Sequence, residues 1–267
     1  MEIGVMLPTS TPDPQQPILG DVAASARLAE ESGLGSVWAT DHLVASAPML
    51  DSTVALATAA AVTSRLALGY GAMILALRPV AWAAKQVSTL QYVSGGRLML
   101  GVGTGNPVHG DIGWRAAGAS FADRGRRTDE ALRVLPGLVT GRATVLGPGL
   151  EVTLAPGSAM PPVLVAGNGK AALRRAAAYG DGWMCVGLSP EDLAPALADL
   201  AERATGQGRP APAATVVGPS MAGDPARAAA QLARYAAAGA ERVILVPTGR
   251  EWQRDYEFAA RVRAALG

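Results

Sequence analysis

Short apolar runs recur along this chain, each followed by a longer stretch in which apolar side chains return at helical spacing. Residues 2–7 read as a strand stopped by Pro8, and Pro12, Pro14 and Pro17 then force residues 9–17 into an extended loop. Asp21 opens a helix over 21–31 that Gly33 ends, and residues 36–40 return as a strand that delivers Asp41 and His42. A helix over 51–63, a strand over 66–75 containing Gly69 and Gly71, and a helix over 78–92 with Pro79 in its first turn come next. Gly95 and Gly96 end that helix, and residues 98–102 form an apolar strand of the kind covered on both faces in parallel sheets.

Residues 106–122 are too long for an ordinary connection and read as a functional loop. A helix over 124–139 follows, then an irregular excursion over 140–160 with a hairpin across Gly147, Pro148 and Gly149. Four strand and helix pairs complete the chain: 162–166 with 170–179, 182–186 with 190–204, 213–217 with 225–238, and 242–246 with 251–266. Eight such alternations without a Ser/Gly-rich linker predict one (β/α)₈ barrel, an α/β TIM barrel of a single domain over residues 1–267, with a doubly wound sheet as the runner-up. The barrel is preferred because the chemistry-bearing residues all follow strands, and in a barrel those ends share one face.

With 49% hydrophobic residues, the 267-residue chain can bury a large core. Its net charge of +1 and lack of a basic cluster argue against nucleic acid or an anionic membrane as partner and favour a small organic ligand. No apolar run reaches membrane-spanning length and no basic leader precedes an apolar core, so a cytoplasmic location is expected. The single cysteine, Cys185, lies in an apolar run and reads as a buried small hydrophobe. Trp38, Trp82, Trp114 and Trp183 read as core residues, with Trp114 in the long loop also able to cover a planar ligand. The mixed charges of 123–130 read as a solvated helix face.

Gly101-Val-Gly103-Thr104-Gly105-Asn106 leaves main-chain amides uncovered, so a planar ring or an oxygen can approach closely. The spacing lacks the third glycine of a dinucleotide fingerprint. The chain's two histidines, His42 and His109, both follow strands and are candidate acids, bases or hydrogen-bond donors to a ligand ring. Gly167-Asn168-Gly169 precedes a helix, where free amides suit a phosphate, but Leu164 stands where a Walker loop needs glycine. No regular carboxylate spacing accompanies the histidines, so no metal site is expected.

Several segments together resemble the bacterial luciferase-like flavin oxidoreductases, a family that includes alkanesulfonate monooxygenases and deazaflavin F420-dependent enzymes. The matching text is Trp38-Ala-Thr-Asp41-His42, Thr63-Ser-Arg-Leu-Ala-Leu-Gly69, Ser94-Gly95-Gly96-Arg97 through Gly105, and Gly180-Asp-Gly-Trp183. The resemblance implies a flavin or deazaflavin across the barrel mouth, with His42 beside its ring and Asp41 among its contacts. It also implies a supporting bulge, commonly a non-proline cis peptide, at Gly71-Ala72, ring contacts at Gly103, Thr104, Gly105 and Ala166, and a phosphate loop at Gly167, Asn168 and Gly169. Asp41-His42 and the glycine run look closer to F420 users, so F420 is the expected cofactor, with FMN as the alternative. Some relatives carry a glutamate acid where this chain has Asn106, which argues against a sugar-phosphate dehydrogenase; Asn106 joins His42 and His109 as a catalytic candidate. The expected activity is hydride transfer between F420 and an organic molecule. The alternatives are an FMNH2-dependent monooxygenase and a non-catalytic flavin-binding barrel. Exposed alanine-rich helix faces are compatible with a homodimer.

Overall fold

A computed structural model describes residues 1–10, 20–219, 221, 223–247 and 251–267. Most of the loop expected over 9–17 therefore lies outside the described residues. Eight parallel strands close in the order β1, β10, β9, β8, β7, β4, β3, β2, which excludes the open sheet. The strands are β1 (Glu2–Met6), β2 (Ser36–Ala39), β3 (Ala67–Met73), β4 (Leu98–Val102), β7 (Val163–Ala166), β8 (Gly182–Val186), β9 (Ala213–Val217) and β10 (Ala240–Leu245). β5 (Thr144–Gly147) and β6 (Leu150–Val152) form the separate antiparallel hairpin expected around Gly147 to Gly149.

Around the barrel run α1 (Val22–Glu31), α2 (Ser52–Val62), α3 (Val80–Val93), α5 (Arg124–Val139), α6 (Lys170–Tyr179), α7 (Pro190–Thr205), α8 (Pro225–Ala237) and α9 (Trp252–Leu266). Asp21 and Asp51 start their helices by accepting the amides of Ala24 and Val54, the satisfaction of orphan donors that favours aspartate at an N-cap. The loop over 106–122 is not structureless, since it holds a 3₁₀ turn at Pro107–His109 and the short helix α4 (Ile112–Ala116). β3 stops at Met73 rather than running to position 75, and a 3₁₀ turn follows at Leu75–Leu77. There the amide of Ile74 leaves the ladder and donates to the carboxylate of Asp41 at 2.8 Å.

Strand alternation separates two apolar layers. Ile3 and Val5 point outward to the helices, whereas Met6 joins Trp38, Met99, Leu164, Met184, Val217 and Ile244 inside the barrel. Trp38 fills the centre and its size explains Gly69: a Cβ there would lie 2.1 Å from the indole ring, far inside contact distance.

The end of the barrel opposite the mouth is tied by two charged side chains. Arg97 donates to the carbonyls of Ser94, Leu66, Ala60 and Thr63 and to the Thr63 hydroxyl. Glu30 accepts the amides of Ser64, Arg65 and Leu66 and the Ser64 hydroxyl. The Ser94 to Arg97 run, one of the segments that carry the resemblance, is thus a structural clasp rather than a part of the mouth.

Cys185 is fully buried, and burial pushes its thiol up to about 12, so it packs as the inert residue expected. Trp38, Trp114 and Trp183 are buried, but Trp82 is 67% exposed on α3, a correction to its expected core placement. The charges at the start of α5 divide. Arg126, Asp123 and Glu130 form the solvated pairs expected, while Asp129 binds the buried Arg175 at 2.5 Å.

Candidate active site

The C-terminal ends of β2, β3, β4, β7 and β8 surround one cleft of about 510 Å³. His42, Gly71, Ala72, Gly103, Thr104, Gly105, Asn106, His109, Ala166, Gly167 and Asn168 all line it. The floor carries almost no side chain: a Cβ on Gly103 would already touch Ala72 at 3.4 Å and Ala166 at 3.9 Å. The ladder between β3 and β4 shifts register between Tyr70 and Met73, and the Gly71–Ala72 peptide within this bulge is cis. Gly105 takes φ +82°, a conformation costly for any other residue, and passes over Trp114. Trp114 therefore braces the glycine loop from beneath, with Ile74, Leu77 and Phe121 around it, and does not cover the cleft.

The two histidines meet at the rim, their rings edge to face with centroids 4.2 Å apart. Partial burial, then the neighbouring His109, hold the His42 imidazole below its ordinary pKa, against the opposing pull of the Asp41 carboxylate. His42 lines the cleft and makes no hydrogen bond to any described residue. On His109, Nδ1 lies 3.2 Å from the amide of Ser46 and 3.0 Å from its hydroxyl. A main-chain amide can only donate, so Nδ1 accepts and the neutral ring carries its hydrogen on Nε2.

Asp41 also lines the cleft. Its side chain is only 3% exposed, with Arg78 across a 2.9 Å ion pair. Both carboxylate oxygens are committed: Ser52 donates its hydroxyl to one at 3.0 Å, Ile74 its amide to the other, and Arg78 reaches both. Asp41 therefore braces the chain end from which His42 projects. Asn106 stands exposed at the rim, its side-chain oxygen accepting the Val108 amide at 3.1 Å as cap of the 3₁₀ turn that carries His109.

At the β7 end, Asn168 is clamped to the next strand, donating to the Val186 carbonyl at 2.8 Å and accepting its amide at 2.9 Å. The Trp183 indole donates to the Gly167 carbonyl at 2.8 Å, a support that no sequence pattern announces. Gly169 is the N-cap of α6 and has no side chain; its carbonyl accepts the Ala172 amide at 2.8 Å. An anion can take the amides of Lys170 and Ala171.

A second chamber of about 430 Å³ adjoins the cleft and shares Thr40, Met49, Gly71 and His109 with it. Among the described residues no cluster of three or more His, Cys, Asp or Glu could hold a metal ion. No helix among them is long and apolar enough to cross a membrane.

The family model described as luciferase-like monooxygenase matches residues 1–263. An uncharacterized Mycobacterium tuberculosis protein is 39% identical over 152 residues, covering 55% of this chain and 51% of that protein. The F420-dependent hydroxymycolic acid dehydrogenase of the same organism is 31% identical over 227 residues, covering 76% of this chain and 61% of that enzyme. This chain thus spans about half to three fifths of the length of these relatives. Among solved structures, an F420-dependent secondary alcohol dehydrogenase in complex with an F420-acetone adduct superposes with TM-score 0.82 at 18% identity, over 100% of this chain and 99% of that one. At that identity the likeness concerns the fold alone. The match over residues 1–263, on a closed eight-stranded parallel barrel, means that the chain belongs to the luciferase-like monooxygenase family.

Proposed function

We propose that this protein is an oxidoreductase that binds a deazaflavin of the F420 type, with FMN as the alternative, and moves hydride to or from a small organic molecule. The observation that carries this reading is the flat, side-chain-poor floor of Gly71, Ala72, Gly103, Gly105, Ala166 and Gly167, lying between an imidazole pair and an uncapped helix N-terminus. Such a floor suits a tricyclic ring, and the first-turn amides of α6 beside Asn168 and Gly169 suit a phosphate, so both ends of the cofactor find matching residues. F420 is favoured over FMN by the likeness to the F420-dependent hydroxymycolic acid dehydrogenase.

When bound, the cofactor supplies the hydride chemistry, and the chain supplies orientation, proton transfer and dryness. His42, kept neutral near pH 7 by burial and by His109, can accept a proton beside the ring. Asp41 and Arg78 keep that imidazole in place, and Asn106 shapes the turn that presents His109. The test is titration of the purified protein with F420 and FMN, oxidised and reduced; binding of neither would remove the proposal. Oxygen uptake by the protein loaded with reduced FMN would favour a monooxygenase instead.

We also propose a homodimer through α2 and α3. Trp82 and Val93 stand exposed along a shallow groove between these helices, and Val54 stands exposed on α2; a second copy would cover them. Light scattering of wild type and Trp82→Glu tests it: a monomer in both would exclude the interface.

A further inference from the structure

The chamber beside the cofactor cleft differs from the cleft in chemistry. Its walls are Met6, Leu7, Met49, Val217, Val246 and Trp252, and none of its described lining residues is Lys, Arg, Asp or Glu. Its few polar groups are nearly all spent. The Thr9 hydroxyl donates to the Leu7 carbonyl, the Thr40 hydroxyl to the Met49 sulfur, and the Ser46 hydroxyl lies against His109 Nδ1. Ser10 is an exposed rim residue. One directional donor remains at the junction of the two lobes. Because Ser46 holds Nδ1 as an acceptor, the neutral His109 ring presents an Nε2–H that no described residue accepts.

We infer that the chamber takes an uncharged, mainly apolar substrate with one acceptor oxygen, and that the Nε2–H of His109 receives that oxygen. This inference rests on the proposed function for what occupies the neighbouring cleft, yet it concerns a different set of walls. A volume of about 430 Å³ holds a compact molecule of ten to twenty heavy atoms, in the lower part of the range for small-molecule sites. A charged substrate would lose its hydration among methionine and aliphatic side chains with no counter-ion among the described lining residues, a heavy cost even when partly relieved by water. An oxygen acceptor set against the His109 donor gains a directional bond in a place otherwise without one. His109 is thereby a specificity-determining residue, oriented by Ser46. The groups facing it are the His42 imidazole across the ring contact, the Ser46 amide and hydroxyl, and, behind His42, the Asp41 and Arg78 pair.

Three molecules of one skeleton test the inference by calorimetry: camphor, which has one ketone oxygen, bornane, which has none, and ketopinate, which adds a carboxylate. Camphor is expected to bind, with ketopinate weaker by about a hundredfold or more, as an unpaired buried charge requires. His109→Phe, which keeps an aromatic ring but removes the donor, should weaken camphor by about three- to tenfold and leave bornane unchanged. Ketopinate binding as tightly as camphor, or camphor binding undiminished in the variant, would overturn the inference. Should the variant fail to fold, the ¹⁵N shifts of the wild-type His109 ring decide: a protonated Nδ1 in the neutral form contradicts the donor assignment. F420 and FMN titrations on the same preparations separate this result from the cofactor proposal, since cofactor binding with an anion-preferring chamber would sink only the inference about the substrate.

Discussion

The rings of His42 and His109 meet edge to face, 4.2 Å between centroids, although one follows β2 and the other follows β4. Protonating both would put like charges in contact, and His109 accordingly lowers the pKa of His42. The two are the chain's only histidines, which makes them easy to follow by NMR.

His42 is expected to titrate below the ordinary value of about 6.5. In His109→Gln its midpoint should rise, because one of the two lowering causes is removed, while staying depressed by burial. A native imidazole with a lowered pKa binds fewer protons than the unfolded one, so its effect on stability is absent above about pH 6.5 and destabilising below it. An unchanged His42 midpoint in the variant would refute the coupling.

Asp41 and Arg78 form a buried pair whose loss leaves a charge without its counterpart. Arg78 Nη1 is itself buried without a hydrogen-bond partner, so the pair has little reserve. Asp41→Ala should lower unfolding free energy by about 3–5 kcal/mol, as breaking one side of a buried pair does, and should also weaken cofactor binding. Denaturant unfolding of Asp41→Ala, Arg78→Ala and the double variant measures the coupling, and strictly additive losses would contradict it.

Gly69 is set against the Trp38 indole, which is fully buried and has no room to move aside. Gly69→Ala should cost roughly 1–3 kcal/mol through overpacking, despite alanine's equal tolerance of strand geometry. Gly95→Ala meets no atom within 4 Å but forces φ +68° on a side-chain-bearing residue, a cost of about 1 kcal/mol by backbone strain instead. Thermal melts of the two variants compare the mechanisms; a neutral Gly69→Ala would mean that the barrel centre yields.

Glu30 ties the bottom of the barrel through donors on three successive residues. Burial alone would raise its carboxyl, but the amides of Arg65, Ser64 and Leu66 and the Ser64 hydroxyl outweigh it and hold it at about 2. The unfolded group titrates near about 4.3, so its stabilising effect is complete above that pH and disappears as pH falls towards the native value. Glu30→Gln should be less stable by roughly 1–3 kcal/mol at pH 7, and the gap should close in acid. Urea unfolding from pH 7 down to the acid limit checks this; a gap independent of pH would show that the charge plays no part.

The alternation of apolar runs and amphipathic stretches determined an α/β chain of eight strand and helix units, because strands buried on both faces must be apolar throughout while covering helices need only one apolar side; closure of the sheet into a barrel was decided by the tertiary structure. Local chemistry likewise marked His42, the Gly103 to Gly105 run and the Gly167 to Gly169 turn as strand-end features. Only the folded chain decided where side chains at those ends point. Asp41 is held by Arg78 and Ser52, both distant from it in sequence. Trp82 stays at the surface because nothing within the described residues covers its side of α3, a matter that side-chain hydrophobicity cannot reveal. The hydrogen-bonding state of His109 depends on Ser46, in a loop from another strand. Such contacts form when closure of the ring brings separate loops to one rim, whereas periodicity records only neighbours along the chain.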